Sequence, residues 1–112
     1  MKLVTAVVQQ TRVDEVRQSL TALGVRGMTI ADVQGYGRQQ GHTEIYRGAE
    51  YKVDVVDKTR VEVLVNDVDA DEVLRAIVSA ARSGRVGDGK VWVTPVESVV
   101  RVRTGETGEQ AI

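Results

Sequence analysis

A glycine-rich turn that ends in a lysine is the segment of this sequence best suited to hold an anion. Residues 84–90 read GRVGDGK, which satisfies the G-x-x-x-x-G-K spacing of a phosphate-binding P-loop. Glycines let backbone N–H groups approach an anion, and Lys90 would add positive charge. However, residue 91 is Val instead of the Ser or Thr that holds Mg²⁺, and the turn is predicted to join a helix to a strand. A true P-loop NTPase is disfavoured, which leaves a local phosphate site or a plain turn with a solvated lysine.

Two arginines near the end of the sequence favour the phosphate site. Arg101 and Arg103 are two residues apart on a segment predicted to be extended, so both side chains would point to one side. Each guanidinium group offers a fork of donors that matches phosphate oxygens. With Arg38 and Lys90, they would give one site more cationic donors than a chain of formal net charge −1 would assemble by chance. The alternative is a solvated basic edge.

Other kinds of chemistry have little support. The sequence has one histidine and no cysteine, which excludes disulfides and thiolate metal sites and disfavours a metal cage. His42 is interpreted as a hydrogen-bonding loop residue, and no grouping of Ser, His and Asp indicates nucleophilic catalysis. Tyr51 lies between charged residues, where a modifying enzyme could reach it, although an aromatic anchor is an equally good interpretation.

Length and composition predict one soluble domain with an aliphatic core. The chain has 112 residues and no Phe, and Trp92 and three tyrosines are its only aromatic residues. A net charge of −1 gives no general attraction to nucleic acid or to an anionic membrane. We also expect neither a signal peptide nor a membrane span, because no apolar run is long enough.

The elements that must position these residues alternate between strands and helices. Apolar periodicity predicts strands at 3–8, 28–33, 60–66 and 91–96, a final extended piece at 99–103, and two helices that end at or near Gly24 and Gly84. Thr11 and Asp69 are predicted to cap those helices in capping boxes. This order fits an α+β, ferredoxin-like βαββαβ fold with two helices on one face of an antiparallel sheet. Because the first strand is apolar on both sides, we expect another copy of the chain to cover the bare face.

The stretch from residue 35 to 58 is too long for an ordinary connection between strands. It contains four glycines, three tyrosines and both charge signs, with no sustained apolar period. We interpret it as a functional loop, since loops of this length in small domains are usually functional or disordered. The alternative is a small hairpin within IYRGAEYKV that turns at Gly48.

Four stretches resemble the PII family of nitrogen-regulatory signalling proteins. GYGRQQGHTEIYRGAEY at 35–51 and SGRVGDGKVWV at 83–93 are similar to the two family signatures, and GMTI at 27–30 and RVRTGE at 101–106 also fit. The resemblance covers essentially the whole chain. It implies one domain over 1–112 that forms a ferredoxin-like homotrimer. Its T-loop would lie at about 37–55, its B-loop at about 82–90 and its C-loop at about 101–109.

The resemblance also implies effectors and the residues that hold them. Clefts between subunits would bind ATP or ADP competitively, with 2-oxoglutarate joining when MgATP is present. The phosphates would be held by Gly87, Asp88, Gly89, Lys90 and Arg38, with Arg101 and Arg103 of the partner subunit. The adenosine would be surrounded by Val7, Thr29, Gly35, Gly37, Glu62 and Leu64. The 2-oxoglutarate would be held by Gln39, which would also ligate Mg²⁺, and by Gly41, Lys58 and Gly87.

The implied function is regulation of nitrogen assimilation by protein contact, without catalysis. Partners would include an ammonium transporter, other regulators of nitrogen metabolism such as those of glutamine synthetase, and a nucleotidylyltransferase that uridylylates or adenylylates Tyr51. The protein would be cytoplasmic, would reach the inner face of the membrane only through a transporter, and would not bind nucleic acid. The alternatives are a PII relative tuned to another ligand or transporter and, less favoured, a slow ATP-hydrolysing enzyme.

Four positions depart from the family pattern. Gln9 and Gln10 stand where Lys and Pro are usual, Gln40 stands where Lys is usual, and Asp57 stands where Pro commonly precedes Lys58. A carboxylate next to Lys58 would compete for its ammonium group with an incoming dicarboxylate. We therefore expect Asp57 to weaken 2-oxoglutarate binding.

Overall fold

The computed structural model describes residues 1–36, 43–46, 49–52 and 55–112, and for 43–46 and 49–52 the description covers the backbone alone. The helices and strands are β1 (Lys2–Val8), α1 (Val13–Ala22), β2 (Thr29–Gly35), β3 (Thr43–Tyr46), β4 (Ala49–Lys52), β5 (Val56–Val65), α2 (Ala70–Ala81) and β6 (Gly89–Pro95). Short 3-10 turns precede both helices and a third covers Gly108–Ala111.

The main sheet has four antiparallel strands in the order β2-β5-β1-β6. Alternate residues of β1 and β5 pack against the apolar stripes of both helices, so one cluster forms the core. That cluster includes Val4, Ala6, Val8, Val16, Leu20, Val61, Val63, Val65, Val73 and Ile77. The predicted ferredoxin-like α+β fold is confirmed.

The helix starts differ from the predicted capping boxes. Thr11 lies inside the 3-10 turn Gln10–Arg12, and α1 begins after Arg12, which makes no side-chain capping hydrogen bond. Asp69 does occupy the N-cap position of α2, but its side chain also makes no capping hydrogen bond. Both cap residues have helical backbone angles because each helix continues directly from a 3-10 turn, whereas a capping side chain needs an extended N-cap residue.

The end of α1 follows the prediction. Gly24 has a φ of 91°, and its N–H donates to the carbonyl of Thr21 at 3.0 Å. The next N–H, that of Val25, donates to Leu20 at 3.1 Å. These two bonds form a Schellman motif, in which glycine is favoured because the left-handed conformation carries little steric cost for it.

Two strands begin earlier than their apolar patterns predict. β5 starts at Val56 instead of residue 60, and β6 starts at Gly89 instead of residue 91. Both extra segments are polar, but their backbones pair with neighbours, as Lys58 does with Val33 of β2. Backbone pairing needs no apolar side chain, so the pattern missed these ends. As a result, Lys58 lies on a strand and not in the long connection.

The long connection contains a hairpin. Residues of β3 pair antiparallel with β4, from Thr43 opposite Lys52 to Tyr46 opposite Ala49. The hairpin alternative is therefore confirmed, and the interpretation of the whole stretch as a loop was wrong for these eight residues. The predicted turn residue, Gly48, lies outside the described residues.

The last predicted extended piece is a turn. Within 99–108, only Val100 makes a β-bridge, to Thr107, and the N–H of Gly105 donates to the carbonyl of Arg101 at 2.8 Å. Gly105 and Gly108 have φ values of 73° and 68°, which permit the reversal. Arg101 and Arg103 therefore do not share one face of a strand, and that prediction was wrong.

We expect Gly89→Ala to destabilise the fold by about 3 kcal/mol or more. A Cβ at Gly89, whose φ is 99°, would lie 1.8 Å from the carbonyl oxygen of Val7, so β6 could not stay paired with β1. The matched control is Gly84→Ala, because a Cβ there would meet nothing within 4 Å and carries only the left-handed backbone cost of about 1 kcal/mol. Urea unfolding at one protein concentration measures both, and equal losses would contradict the steric argument.

Candidate functional site

One edge of the sheet carries the glycine-rich turn and both ends of the long connection. In an antiparallel sheet, the last residues of β1 and β2 lie beside the first residues of β5 and β6. The turn at 82–88 enters β6 at this edge, and the connection leaves β2 and enters β5 there. A cleft of about 660 Å³ lies at this edge, and it is lined by Val7, Gly35, Tyr36, Val56, Lys58, Arg85, Val86, Gly87, Asp88, Gly89, Lys90 and Trp92.

Lys58 reaches into this cleft from β5 with only 7% of its surface exposed. Its aliphatic stem lies against Gly35, where a Cβ would be 3.3 Å from the Lys58 Cγ, and its ammonium group donates to the main-chain oxygen of Gly87. Burial lowers the pKa of Lys58 because the charged form loses water, while the negative charge of Asp88 acts in the opposite direction. The cleft therefore holds a cation whose charge depends on its neighbours.

Asp88 holds the glycine-rich turn closed. Its carboxylate accepts from the backbone N–H groups of Ser83 at 2.8 Å and Gly84 at 2.9 Å, from the Ser83 hydroxyl, and from the Gln9 side-chain amide at 3.4 Å. The hydrogen bonds from Ser83, followed by that from Gly84, lower the pKa of Asp88. The negative carboxylate of Asp88 repels a phosphate. Only the backbone N–H of Asp88 could therefore hold the nucleotide phosphates, and that role stays a prediction.

Ser83 and Gln9 are residues of this site that the sequence analysis missed. A serine five residues before an aspartate, with glycines between them, is a signal for a turn closed by side-chain to backbone hydrogen bonds. Gln9 gave no local signal, because its contact with Asp88 joins residues 79 positions apart.

The competing carboxylate at Lys58 is Asp88 and not Asp57. Asp57 is exposed and pairs with Gln34 of β2, and as the neighbour of Lys58 on a strand its side chain points to the opposite face. Asp88 is the carboxylate whose charge acts on Lys58. This geometry argues against pairing of Asp57 with Lys58, whereas the expected weakening of 2-oxoglutarate binding stays a prediction.

Part of the predicted site lies at the opposite edge of the sheet. A second cleft, of about 820 Å³, is bordered by Thr29, Glu62, Leu64 and the final residues Ala111 and Ile112. Glu62 there accepts from the Thr5 hydroxyl at 3.2 Å and pairs with Arg60 at 3.3 Å.

One chain thus divides the predicted nucleotide contacts into two groups. The first group, around the glycine-rich turn, is Val7, Gly35, Gly87, Asp88, Gly89 and Lys90, and it lies beside Lys58, which was predicted to hold 2-oxoglutarate. The second group, around the other cleft, is Thr29, Glu62 and Leu64. Arg101 and Arg103 lie outside both linings.

The remaining predicted site residues fall where the structure describes little. Gly37, Arg38, Gln39 and Gly41 lie outside the described residues, as does His42. Tyr51 lies on β4, where its backbone pairs with Glu44. Over residues 1–36 and 55–112, no three His, Cys, Asp or Glu side chains are placed to hold a metal ion, and no helix there is long and apolar enough to cross a membrane.

We expect Asp88→Asn to unfold more easily than wild type near neutral pH, because an amide accepts the turn's hydrogen bonds more weakly. The folded pKa of Asp88 lies below its usual value of 3.8, so its contribution is complete above pH 3.8 and disappears as the pH falls through the folded pKa. The stability difference between the two proteins should therefore shrink in strong acid. Urea unfolding as a function of pH measures it, with the exposed Asp32→Asn as the charge-matched control. A difference that stays constant below pH 3.8 would refute the assignment.

The sequence matches one known protein family along nearly its whole length. The family model described as nitrogen regulatory protein P-II matches residues 1–106. The chain is 50% identical to the nitrogen regulatory protein P-II of Rhizobium meliloti (strain 1021), 49% identical to that of Azospirillum brasilense and 48% identical to that of Pasteurella multocida (strain Pm70). Each match covers 112 residues, which is 100% of both chains. The chain therefore belongs to the nitrogen regulatory protein P-II family, whose members are signalling proteins and not enzymes.

Proposed function

We propose that the protein senses ATP, ADP and 2-oxoglutarate and passes their occupancy to partner proteins that control nitrogen assimilation. ATP and ADP compete for one site, and 2-oxoglutarate joins when MgATP is bound. The observation that carries this proposal is the cleft in which Lys58, Lys90 and the glycine-rich turn meet the base of the long connection.

The donors of this cleft suit a polyanion. Two lysines, Lys58 and Lys90, line the same cleft as Gly87 and Gly89. Both glycines have left-handed φ values, 101° and 99°, which allow a tight turn with exposed N–H groups. Arg38 lies at the start of the connection and is proposed to hold the phosphates together with Lys90.

The 2-oxoglutarate is proposed to lie between Lys58 and the residues that follow β2. Gln39 and Gly41, with the backbone at Gly87, would hold its carboxylates, and Gln39 would ligate the Mg²⁺ that accompanies ATP. Gln39 would hold Mg²⁺ through its side-chain oxygen, and the cation would supply positive charge beside the anionic ligands.

A complete nucleotide site requires a second copy of the chain. The two groups of predicted contacts border different clefts at opposite edges of the sheet, so a partner must supply one of them. Leu64 and Trp92 are 37% and 43% exposed on the sheet face away from the helices, where another copy would cover them. We propose a homotrimer that closes this arrangement.

The ligand is proposed to act through the connection between β2 and β5. Tyr36 and Val56, which flank the connection, both border the cleft, so a bound anion touches its base. A ligand shifts a conformational equilibrium only as far as it binds two arrangements differently, and contact at the base provides such a difference. An ammonium transporter and other regulators would bind one conformation of the connection and not the other. A nucleotidylyltransferase would modify Tyr51. Ala49 stands in place of the serine that is phosphorylated in some relatives.

We expect Lys90→Ala to weaken ATP binding by at least about tenfold, because a charged donor to phosphate is worth more than 1 kcal/mol. Isothermal titration of the purified assembly with ATP and ADP measures the affinity. Arg75→Ala removes one positive charge from the exposed face of α2, outside both clefts, and should leave the affinity unchanged. Equal affinities for wild type and Lys90→Ala would place the phosphates elsewhere.

We expect 2-oxoglutarate binding to take up protons at alkaline pH. Burial lowers the pKa of Lys58 below 10.5, so a neutral fraction appears as the pH rises through the folded pKa. A dicarboxylate favours the charged form and restores the proton, so its affinity should fall in the same range. Titration in saturating MgATP, in buffers of different ionisation enthalpy, measures the uptake.

Lys58→Arg is the matched variant for this experiment, because arginine keeps the charge but does not titrate in this range. It should bind 2-oxoglutarate without alkaline proton uptake. Uptake that is identical in Lys58→Arg and wild type would show that another group responds to the ligand.

A further inference from the structure

The two arginines proposed for the phosphate site differ in their surroundings. Arg101 Nη1 lies 3.0 Å from the Glu106 Oε1, and Nη2 lies 3.5 Å from the main-chain oxygen of Ile112. Arg103 is exposed and makes no ion pair or hydrogen bond with the side chains that the structure describes. Arg101 must therefore break its ion pair with Glu106 before it can bind a phosphate, whereas Arg103 has no such pair to break within the described part of the chain.

The turn at 99–108 fixes Glu106 beside Arg101. The Arg101 N–H donates to the Glu106 carbonyl at 2.8 Å, the Gly105 N–H donates to the Arg101 carbonyl at 2.8 Å, and the Glu106 N–H donates to the Thr104 hydroxyl at 3.3 Å. These backbone bonds bring the two side chains together before any ligand arrives. Both members of the ion pair therefore belong to one turn.

We infer that Glu106 is a positioning residue that competes with nucleotide phosphate for Arg101, an inference that rests on the proposed function. A phosphate attracts the same guanidinium donors that the Glu106 carboxylate accepts from, and the two anions repel each other. The side chains of Arg101 and Glu106 are 38% and 41% exposed, and partly exposed pairs of this kind are weak. Glu106 therefore lowers nucleotide affinity by a small factor and does not block binding.

The same contact links the phosphates to the second cleft. Arg101 holds the oxygen of Ile112, and Ile112 with Ala111 borders the cleft that contains Thr29 and Leu64. When a phosphate draws Arg101 away, Ile112 loses this hydrogen bond. Glu106 thus affects two things. It changes how readily Arg101 binds a phosphate, and it changes how firmly Arg101 holds Ile112 beside the second cleft.

The test is isothermal titration of the full assembly with ATP and, separately, with adenosine. Glu106→Gln keeps the size of the side chain and removes its charge, and we expect ATP to bind about threefold more tightly. Adenosine has no phosphate, so its affinity should not change. In the Arg101→Gln background, which itself weakens ATP binding, Glu106→Gln should have no further effect on ATP affinity.

Two further variants complete the design. Glu109→Gln removes a nearby exposed carboxylate and should leave ATP affinity unchanged. Glu106→Asp keeps the charge but shortens the side chain, and it should give an affinity between wild type and Glu106→Gln even if the amide variant assembles poorly.

The outcomes separate the two proposals. If Arg101→Gln leaves ATP affinity unchanged, Arg101 does not belong to the proposed phosphate site and the inference fails with that assignment. If Arg101→Gln weakens ATP binding but Glu106→Gln does not tighten it, only the inference is overturned. A tightening that is shared by Glu109→Gln, by adenosine, or by the Arg101→Gln background would also overturn it.

Discussion

The buried ammonium group of Lys58 is the interaction on which the site depends. A cation removed from water is costly unless it has partners, and the partners of Lys58 include the Gly87 carbonyl and the charge of Asp88, both on the glycine-rich turn. That turn keeps its shape because Asp88 accepts the N–H groups of Ser83 and Gly84. Burial has already removed water from the lysine before any ligand binds. An incoming anion therefore meets a cation that gains from a new charge partner.

The antiparallel sheet explains why these groups meet. Strand ends alternate in direction, so the turn before β6 and the connection between β2 and β5 must leave from one edge. Gly89 is then forced by sterics, since its neighbour across the sheet is the Val7 carbonyl and no side chain fits. The order of the strands, together with Gly89, therefore places the glycine-rich turn beside the base of the long connection.

Much of this site could be predicted from the sequence, and the rest depended on pairing between distant segments. The glycines and Lys90 are adjacent in the chain, so their turn was visible as a local pattern. The placement of Lys58 was not, because the polar start of β5 has no apolar period and is held by hydrogen bonds to β2. The face of the sheet to which the Asp57 side chain points was also known only from the pairing of β5 with β2. Arg101 was misplaced for a related reason, since the fold reverses at 101–105 where alternating valines had indicated a strand.

The division of the predicted contacts between two edges has a consequence for sensing. A cleft with cations but no enclosing wall binds an anion weakly, because water competes for every donor. If the second wall and Arg101 come from a neighbouring copy, tight binding exists only in the assembly, and each nucleotide reports on two chains at once. A carboxylate such as Glu106, placed on the donated cation, then adjusts the affinity of the shared site without altering the cleft that receives it. A change at Glu106 would thus alter the affinity through the donor copy, while Tyr36 and Val56 at the base of the connection belong to the receiving copy.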